Sequence, residues 1–319
     1  MSQWLPSASP ESLAARADLL RVLRRFFYDR GVMEVETPLL SQGTVPDPGI
    51  DIFTLPGGGD EPDRYLQTSP ESAMKRLLAA GSGDIFQICK AFRQGEAGRH
   101  HNPEFTMLEW YRVGWDHAAL MREVAELLGT VLNPDGWQVW PYRTLFIELL
   151  DVDPLDEQTS LATLTDLAQS RIGSVPEGLD RDAVLDLLMS HCIEPGISDW
   201  GVVFITDFPP SQAAMARSIS VSDAAVAARF ECYLHGQELA NGYWEQIDAD
   251  SLSAQLQAEN TRRQQRGLPE RPIDERLLAA HRHGLPDCAG VALGVDRLLA
   301  VTLRADNLGE TISFGWASA

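Results

Sequence analysis

The sequence predicts an α+β fold, a central antiparallel sheet flanked by helices. Three observations lead there. Of the 319 residues 44% are hydrophobic, with eight Trp and eleven Phe, enough for a sizeable packed core. Apolar residues near the N-terminus recur at helical spacing. Further on, two stretches of period 2 face each other across a short loop, as neighbouring antiparallel strands do.

The elements follow in order. Ser9-Pro10-Glu11 is a helix start, with proline in the first turn. Leu13, Ala17, Leu20, Leu23 and Phe27 line one face, and Gly31 ends the helix. Val32–Glu36 reads as a short strand stopped by Pro38. Between Ser41 and Arg64, Gly and Pro crowd together without periodicity, which predicts a long loop of the kind that serves as a lid or binding loop. Ser69-Pro70-Glu71 opens a second helix that packs through Met74, Leu77 and Leu78 and stops at Gly81 or Gly83. Ile85–Arg93 alternates as a strand, and its partner returns after a loop over Gln94–Asn102. On that partner Phe105, Met107, Glu109 and Tyr111 share one face, and the polar pair is the informative part. Asp116 begins an amphipathic helix through Leu120, Val124, Leu127 and Val131. Leu145–Gly196 is acidic and mostly helical, with packing as its expected role. Val202–Thr206, Phe230–Leu234 and Glu238–Glu245 read as strands, His235-Gly236 as a turn, and Ser251–Arg266 as a polar helix ended by Gly267. Gly290–Arg297 is a buried strand feeding the helix Leu298–Leu303. No repeat interrupts this plan, so 1–319 is expected to be one catalytic-type domain behind an extension over 1–8.

Charge and cysteine usage narrow the function classes. Lys plus Arg number 26 against 46 Asp plus Glu, a formal charge of −20, which repels a phosphate backbone. Four arginines between Arg262 and Arg271 are expected to be a solvated helix end. The four cysteines (Cys89, Cys192, Cys232, Cys288) are scattered, without a C-x-x-C pair, as reduced thiols of a cytoplasmic protein are. His281 and His283 near Cys288 make a weak metal signal, more in keeping with ordinary surface histidines. No apolar run approaches membrane-spanning length, and Met1–Pro6 lacks the features of a secretion signal.

Neither a G-x-x-x-x-G-K-[ST] loop nor a G-x-S-x-G nucleophile is present. Three fragments stand out instead: Gly31–Pro38; Phe92-Arg93 followed by His101-Asn102-Pro103-Glu104-Phe105; and Gly290–Arg297. In order and spacing they resemble the three motifs of class II aminoacyl-tRNA synthetases. The lysine branch is the most similar, through Ser69-Pro70-Glu71, His101–Met107 and Glu238-Leu239-Ala240-Asn241-Gly242. The likeness runs from Ser9 to Phe314. Only about eight residues precede the first helix, so the anticodon-reading OB-fold of lysyl-tRNA synthetases has no counterpart here. The chain thus resembles the elongation factor P–(R)-β-lysine ligases, which share this truncated architecture, and Trp4–Ser9 looks like their N-terminus.

That resemblance implies an ATP-dependent, Mg²⁺-assisted, AMP-forming ligase acting on (R)-β-lysine and elongation factor P and working as a homodimer; together with the charge it disfavours tRNA as a partner, and no membrane partner is expected. It implies that Arg93 holds the α-phosphate and the substrate carboxylate. Phe105 and Arg297 would sandwich adenine, with Arg297 also meeting the γ-phosphate. Gln94, Gly95, Glu96, Asn102, Leu239 and Gly294 join them as ATP-binding positions. Glu238 and Glu245 are the expected Mg²⁺ carboxylates, although Glu245 could equally meet a substrate ammonium. Ser69, Pro70, Glu71 and Tyr111 match amine-binding positions, while reading locally just as well as a helix N-terminus. At Ala292 the lysyl-tRNA synthetases have glycine, and the extra methyl is expected to disfavour α-lysine. Motif two usually reads Arg-x-Glu; here Gly95 takes the acid's place and Glu96 follows. Two alternatives stay open at this point: a truncated enzyme that charges tRNA, and a non-catalytic amino-acid sensor.

Overall fold

The computed structural model describes residues 4–222 and 224–319; the first three residues of the expected N-terminal extension lie outside the described range. Twelve strands are formed among the described residues: β1 (Met33–Glu34), β2 (Leu40–Ser41), β3 (Thr54–Leu55), β4 (Arg64–Leu66), β5 (Ile85–Phe92), β6 (Glu104–Val113), β7 (Trp137–Pro141), β8 (Val202–Phe208), β9 (Ser218–Val221), β10 (Ala224–Leu234), β11 (Gln237–Trp244) and β12 (Cys288–Gly294). The main sheet runs β1-β5-β6-β12-β11-β10-β8-β7, with β9 paired to β10. From β5 to β8 every pairing is antiparallel, as expected. The two edges differ: β1 runs parallel to β5 and β7 parallel to β8, so the sheet is mixed. The segment 41–64 is also more ordered than its composition suggested, since β2, β4 and β3 form a small separate sheet.

One face of the main sheet is covered by the helices Pro10–Tyr28 and His117–Leu132. Leu23, Phe27, Leu120, Val124 and Leu127 pack there on Phe86, Trp110, Phe230, Val291 and Leu293. Both helices start as their sequences predict, with Ser9 Oγ accepting from the Ser12 N–H and Asp116 Oδ1 from that of Ala119. The acidic segment folds as helices Tyr142–Leu150, Leu161–Ile172 and Arg181–Leu188, then a π-helical turn Met189–Ile193, and it builds a second core against β8 and β10.

Two expectations about surface residues are corrected. Arg263 is fully buried (0% exposed) and donates to the Pro269 and Asp47 carbonyls; Arg262 and Arg266 pair with Asp182 and Asp180. The arginine group is therefore a clamp between helices and not a solvated end. His281 is buried as well, its ring nitrogens on the Leu277 and Gln246 carbonyls. All four cysteines are free, and burial raises every one of their thiol pKa values. No described helix is long and apolar enough to cross a membrane.

Candidate active site

The opposite face of the sheet is the one that carries polar side chains. Strand alternation puts Met107, Glu109 and Tyr111 of β6 there, beside Gly290 and Ala292 of β12 in register with them. Next come Asn241, Tyr243 and Glu245 from β11 and its end, and Arg229, Glu231 and Tyr233 from β10. A bulge makes this set larger. Cys232 pairs with Ala240, yet Tyr233 pairs with Glu238, so Leu239 is an extra residue. The bulge sends Leu239 into the core and turns Glu238 onto the polar face.

Two chambers lie over this face. The smaller, about 130 Å³, is lined by Ser69, Glu71, Glu109, Tyr111, Glu245 and Gly290. The larger, about 300 Å³, is lined by Glu96, His101, Phe105, Glu238, Gly294 and Arg297. Arg93, Asn241 and Ala292 line both.

The small chamber is acidic with one buried cation. Lys75, 0% exposed, places its Nζ 2.6 Å from both Glu71 Oε1 and Glu245 Oε2. Glu109 accepts from Ser69 Oγ at 2.6 Å and from the Tyr111 hydroxyl at 2.8 Å. Burial pushes the Glu109 and Glu245 carboxyls up to about 8, with the charge of Glu71 adding to the shift and Lys75 opposing it. One ammonium does not neutralise three carboxyls, so the chamber is built for further positive charge. Gly290 makes room for it: a Cβ there would stand 2.2 Å from the Tyr111 ring.

The large chamber sets three arginines, Arg93, Arg229 and Arg297, among five carboxyls. Arg297 donates to the Glu238 carbonyl at 3.0 Å and to its carboxylate at 3.1 Å, and its Nη2 lies 2.8 Å from His101 Nε2. Burial tends to raise the Glu238 pKa, but Arg297 and then Arg93 outweigh it and hold the carboxyl below its usual value. On the shared wall Arg93 places its guanidinium 5.2 Å from the Phe105 ring centroid and 3.9 Å from Glu96, and its buried Nε has no hydrogen-bond partner among the described residues.

Several expected site residues fall elsewhere, while Asn102, Leu239 and Gly294 do line the large chamber. Glu245 sits in the small chamber on Lys75, at the far end of β11 from Glu238. At strand rise seven residues span about 20 Å, too far for both carboxylates to hold one ion. The acid diagonal to Glu238 is Glu231, which accepts from Arg229 and Tyr233 and faces the same chamber. Gln94 and Gly95 are exposed. Gln94 uses its N–H on the Asp51 carbonyl, and Gly95 sits at φ +83°, a turn that swings Glu96 into the chamber. Asn102 spends its amide on the Glu104 carbonyl and the Trp316 N–H, anchoring the C-terminal tail. Pro70 lines a neighbouring cavity and not either chamber. At Gly294 a Cβ would meet only the Arg297 side chain, at 3.7 Å, so packing alone does not require glycine there. Lys75 and Glu231 were missed: the first reads as an i,i+4 helix lysine after Glu71, the second as a strand residue.

Comparisons with known proteins give the family. The family described as tRNA synthetases class II (D, K and N) matches residues 4–317. A protein of Pectobacterium carotovorum subsp. carotovorum (strain PC1), named elongation factor P–(R)-β-lysine ligase, is 48% identical over 98% of this chain and 97% of its own. Proteins of the same name from Edwardsiella ictaluri (strain 93-146) and Salmonella typhi are 49% and 48% identical, each over 98% of this chain and over 98% and 97% of their own.

Proposed function

The chain belongs to the elongation factor P–(R)-β-lysine ligase family of class II tRNA synthetases, and from that premise we propose the route by which it joins (R)-β-lysine to a lysine side chain of elongation factor P. The reading rests above all on Arg93, a cation on the wall shared by the acidic chamber and the larger, arginine-bearing one. The acidic chamber suits the two ammonium groups of β-lysine, with Glu71, Glu109, Glu245, Ser69 and Tyr111 as partners. The larger chamber suits ATP through its three arginines, with Phe105 and Arg297 at the base and Glu96 in place of the usual motif-two acid. The substrate carboxylate and the α-phosphate then meet at Arg93.

In the first step a carboxylate oxygen attacks the α-phosphorus and pyrophosphate leaves, giving the adenylate. Arg93 neutralises the charge that builds between the two anions, and Arg297 does so at the departing phosphates. In the second, the acceptor amine attacks the carbonyl carbon; the C–N bond forms, the bond to the phosphate oxygen breaks, AMP departs with the electron pair, and the nitrogen sheds its proton. Alignment of the reactants supplies much of the rate. For Mg²⁺ the donor set that fits is Glu238 with Glu231, two carboxylates on neighbouring strands facing the phosphate chamber. When bound there, the ion supplies charge neutralisation on the phosphates. We place the reaction in the cytoplasm, and a homodimer with Gly31–Pro38 at its interface completes the reading.

Pyrophosphate exchange tests it: (R)-β-lysine should support exchange well above α-lysine, and the product should transfer to elongation factor P and not to tRNA. Exchange with no amino acid would leave the sensor; transfer to tRNA would leave the truncated synthetase. Ala292 sharpens the test. Its methyl faces both chambers, between Asn241 and Glu109 in register. Ala292→Gly should raise kcat/KM for α-lysine relative to β-lysine by roughly tenfold, the scale of a methyl's discrimination. An unchanged ratio would remove Ala292 from substrate selection.

A further inference from the structure

The acidic helical segment does more than pack. Beside the ATP chamber lies an open cavity of about 490 Å³, which shares Arg93, Glu96, Arg229, Glu231 and Glu238 with it. Its outer wall is formed by Tyr142, Asp182, Asp186 and Glu194. Of the arginines that line it, three are engaged in close ion pairs, Arg229 with Glu231, Arg262 with Glu259 and Asp182, and Arg266 with Asp180, and Arg93 stands on the wall shared with the ATP chamber. Among the described residues the Asp186 carboxylate accepts only from the Gln212 side-chain amide, at 2.9 Å, and Glu194 makes neither a side-chain hydrogen bond nor an ion pair. Desolvation in the cavity raises Asp186 to about 6 against the pull of Arg229, and Glu194 to about 7, while Asp186 keeps an exposed surface.

A second observation points to a ligand. Tyr142 is 1% exposed, yet its hydroxyl lines this cavity without a hydrogen-bond partner among the described residues. A buried hydroxyl left bare is costly, and three carboxylates (Asp186, Glu231, Asp182) bear on it, opposed by Arg229 alone. An alkylammonium offers three donors and satisfies such a set. The site is also held rigidly. Glu194 follows the π-helical turn Met189–Ile193, a feature that recurs at functional sites. Its carbonyl is pressed on the β10–β11 turn so closely that a Cβ at Gly236 would stand 2.5 Å from it.

We propose that this vestibule docks the acceptor: Asp186, Glu194 and the Tyr142 hydroxyl receive the lysine ammonium of the acceptor protein on its way to the adenylate. The inference rests on the two-step reading above and adds the residues that choose a protein amine over nucleic acid, whose phosphates the same acids repel.

The test separates the two steps. Asp186→Asn, Glu194→Gln, their double variant and Tyr142→Phe are assayed for pyrophosphate exchange with (R)-β-lysine, and then for transfer to elongation factor P and to Nα-acetyl-lysine methylamide as a small probe. Exchange should stay within about twofold of wild type, showing an intact fold and adenylation site, while KM for either acceptor rises roughly tenfold or more in the double variant. Asp166→Asn, an exposed acid, controls for net charge. A double variant with wild-type acceptor KM overturns the proposal. So does one that begins to acylate tRNA with elongation factor P kinetics unchanged, since the acids would then be only a screen. Absence of exchange in the wild-type enzyme would instead strike the reading beneath it.

Discussion

Arg93→Ala should lower kcat for pyrophosphate exchange by roughly 10²–10³-fold, the scale of removing one positioned stabiliser of developing charge, with little change in the urea midpoint. The small stability effect follows from how the residue is held. Its backbone is fixed by a 2.9 Å bond from its N–H to the Pro103 carbonyl and by the end of β5, neither of which depends on the side chain. The large catalytic effect follows from its position. It is the cation common to both chambers, and its buried Nε has no protein partner among the described residues to hold it back from substrate. In the ground state two separate anions share it; in the transition state they become one crowded centre, where a planar fork serves better than a point charge. Arg93→Lys should therefore recover only part of the rate. A variant that raised KM for β-lysine with kcat intact would mean that Arg93 only binds the carboxylate.

Much of this site could be read from sequence because its residues lie in short contiguous signals. Ser69-Pro70-Glu71, the arginine after β5 and the arginine opening the last long helix are each set by local chain direction, and the sheet brings them together. What stayed hidden depends on pairing. Glu238 and Glu245 are seven apart, an odd spacing that a regular strand would send to opposite faces; the bulge at Leu239 brings both to one face but leaves them at opposite ends. Their shared role as metal ligands was therefore a misreading that only register could correct. The two-residue strands Leu40–Ser41 and Thr54–Leu55, the parallel edges and the helix Glu275–Gly284 were missed because stretches so short or so polar acquire their conformation from neighbours. The vestibule was missed for a different reason: Tyr142, Asp186 and Glu194 sit on three separate helical elements, and nothing in their spacing marks one wall.

Lys75→Met should cost about 3–5 kcal/mol of stability above about pH 8, the usual penalty for removing one partner of a buried ion pair. Methionine nearly matches the lysine stem in volume, so packing changes little and the loss reports charge. Lys75 stays an ammonium because, although burial disfavours its charge, Glu245 and Glu71 favour it more. Without it two carboxyls face each other in a dry chamber, and Glu245, already pushed up to about 8, rises further. The sign of the pH dependence follows. A carboxyl whose folded pKa exceeds its unfolded value destabilises the fold above the unfolded value, increasingly until the folded value is reached. Below about pH 5 the unfolded carboxyls take up protons as well and the variant's penalty fades, while wild type loses the anions that justify its buried ammonium. The gap between the two proteins in urea should thus open above about pH 8, where the wild-type Glu245 carboxyl ionises and the variant's does not, and be smaller at pH 6. Equal gaps at both pH values would show that Lys75 acts as filler. A widening toward acid would show that the ammonium is held by something other than Glu71 and Glu245. Adding β-lysine to the variant should recover part of the lost stability, since a substrate ammonium can stand where the Lys75 Nζ stood.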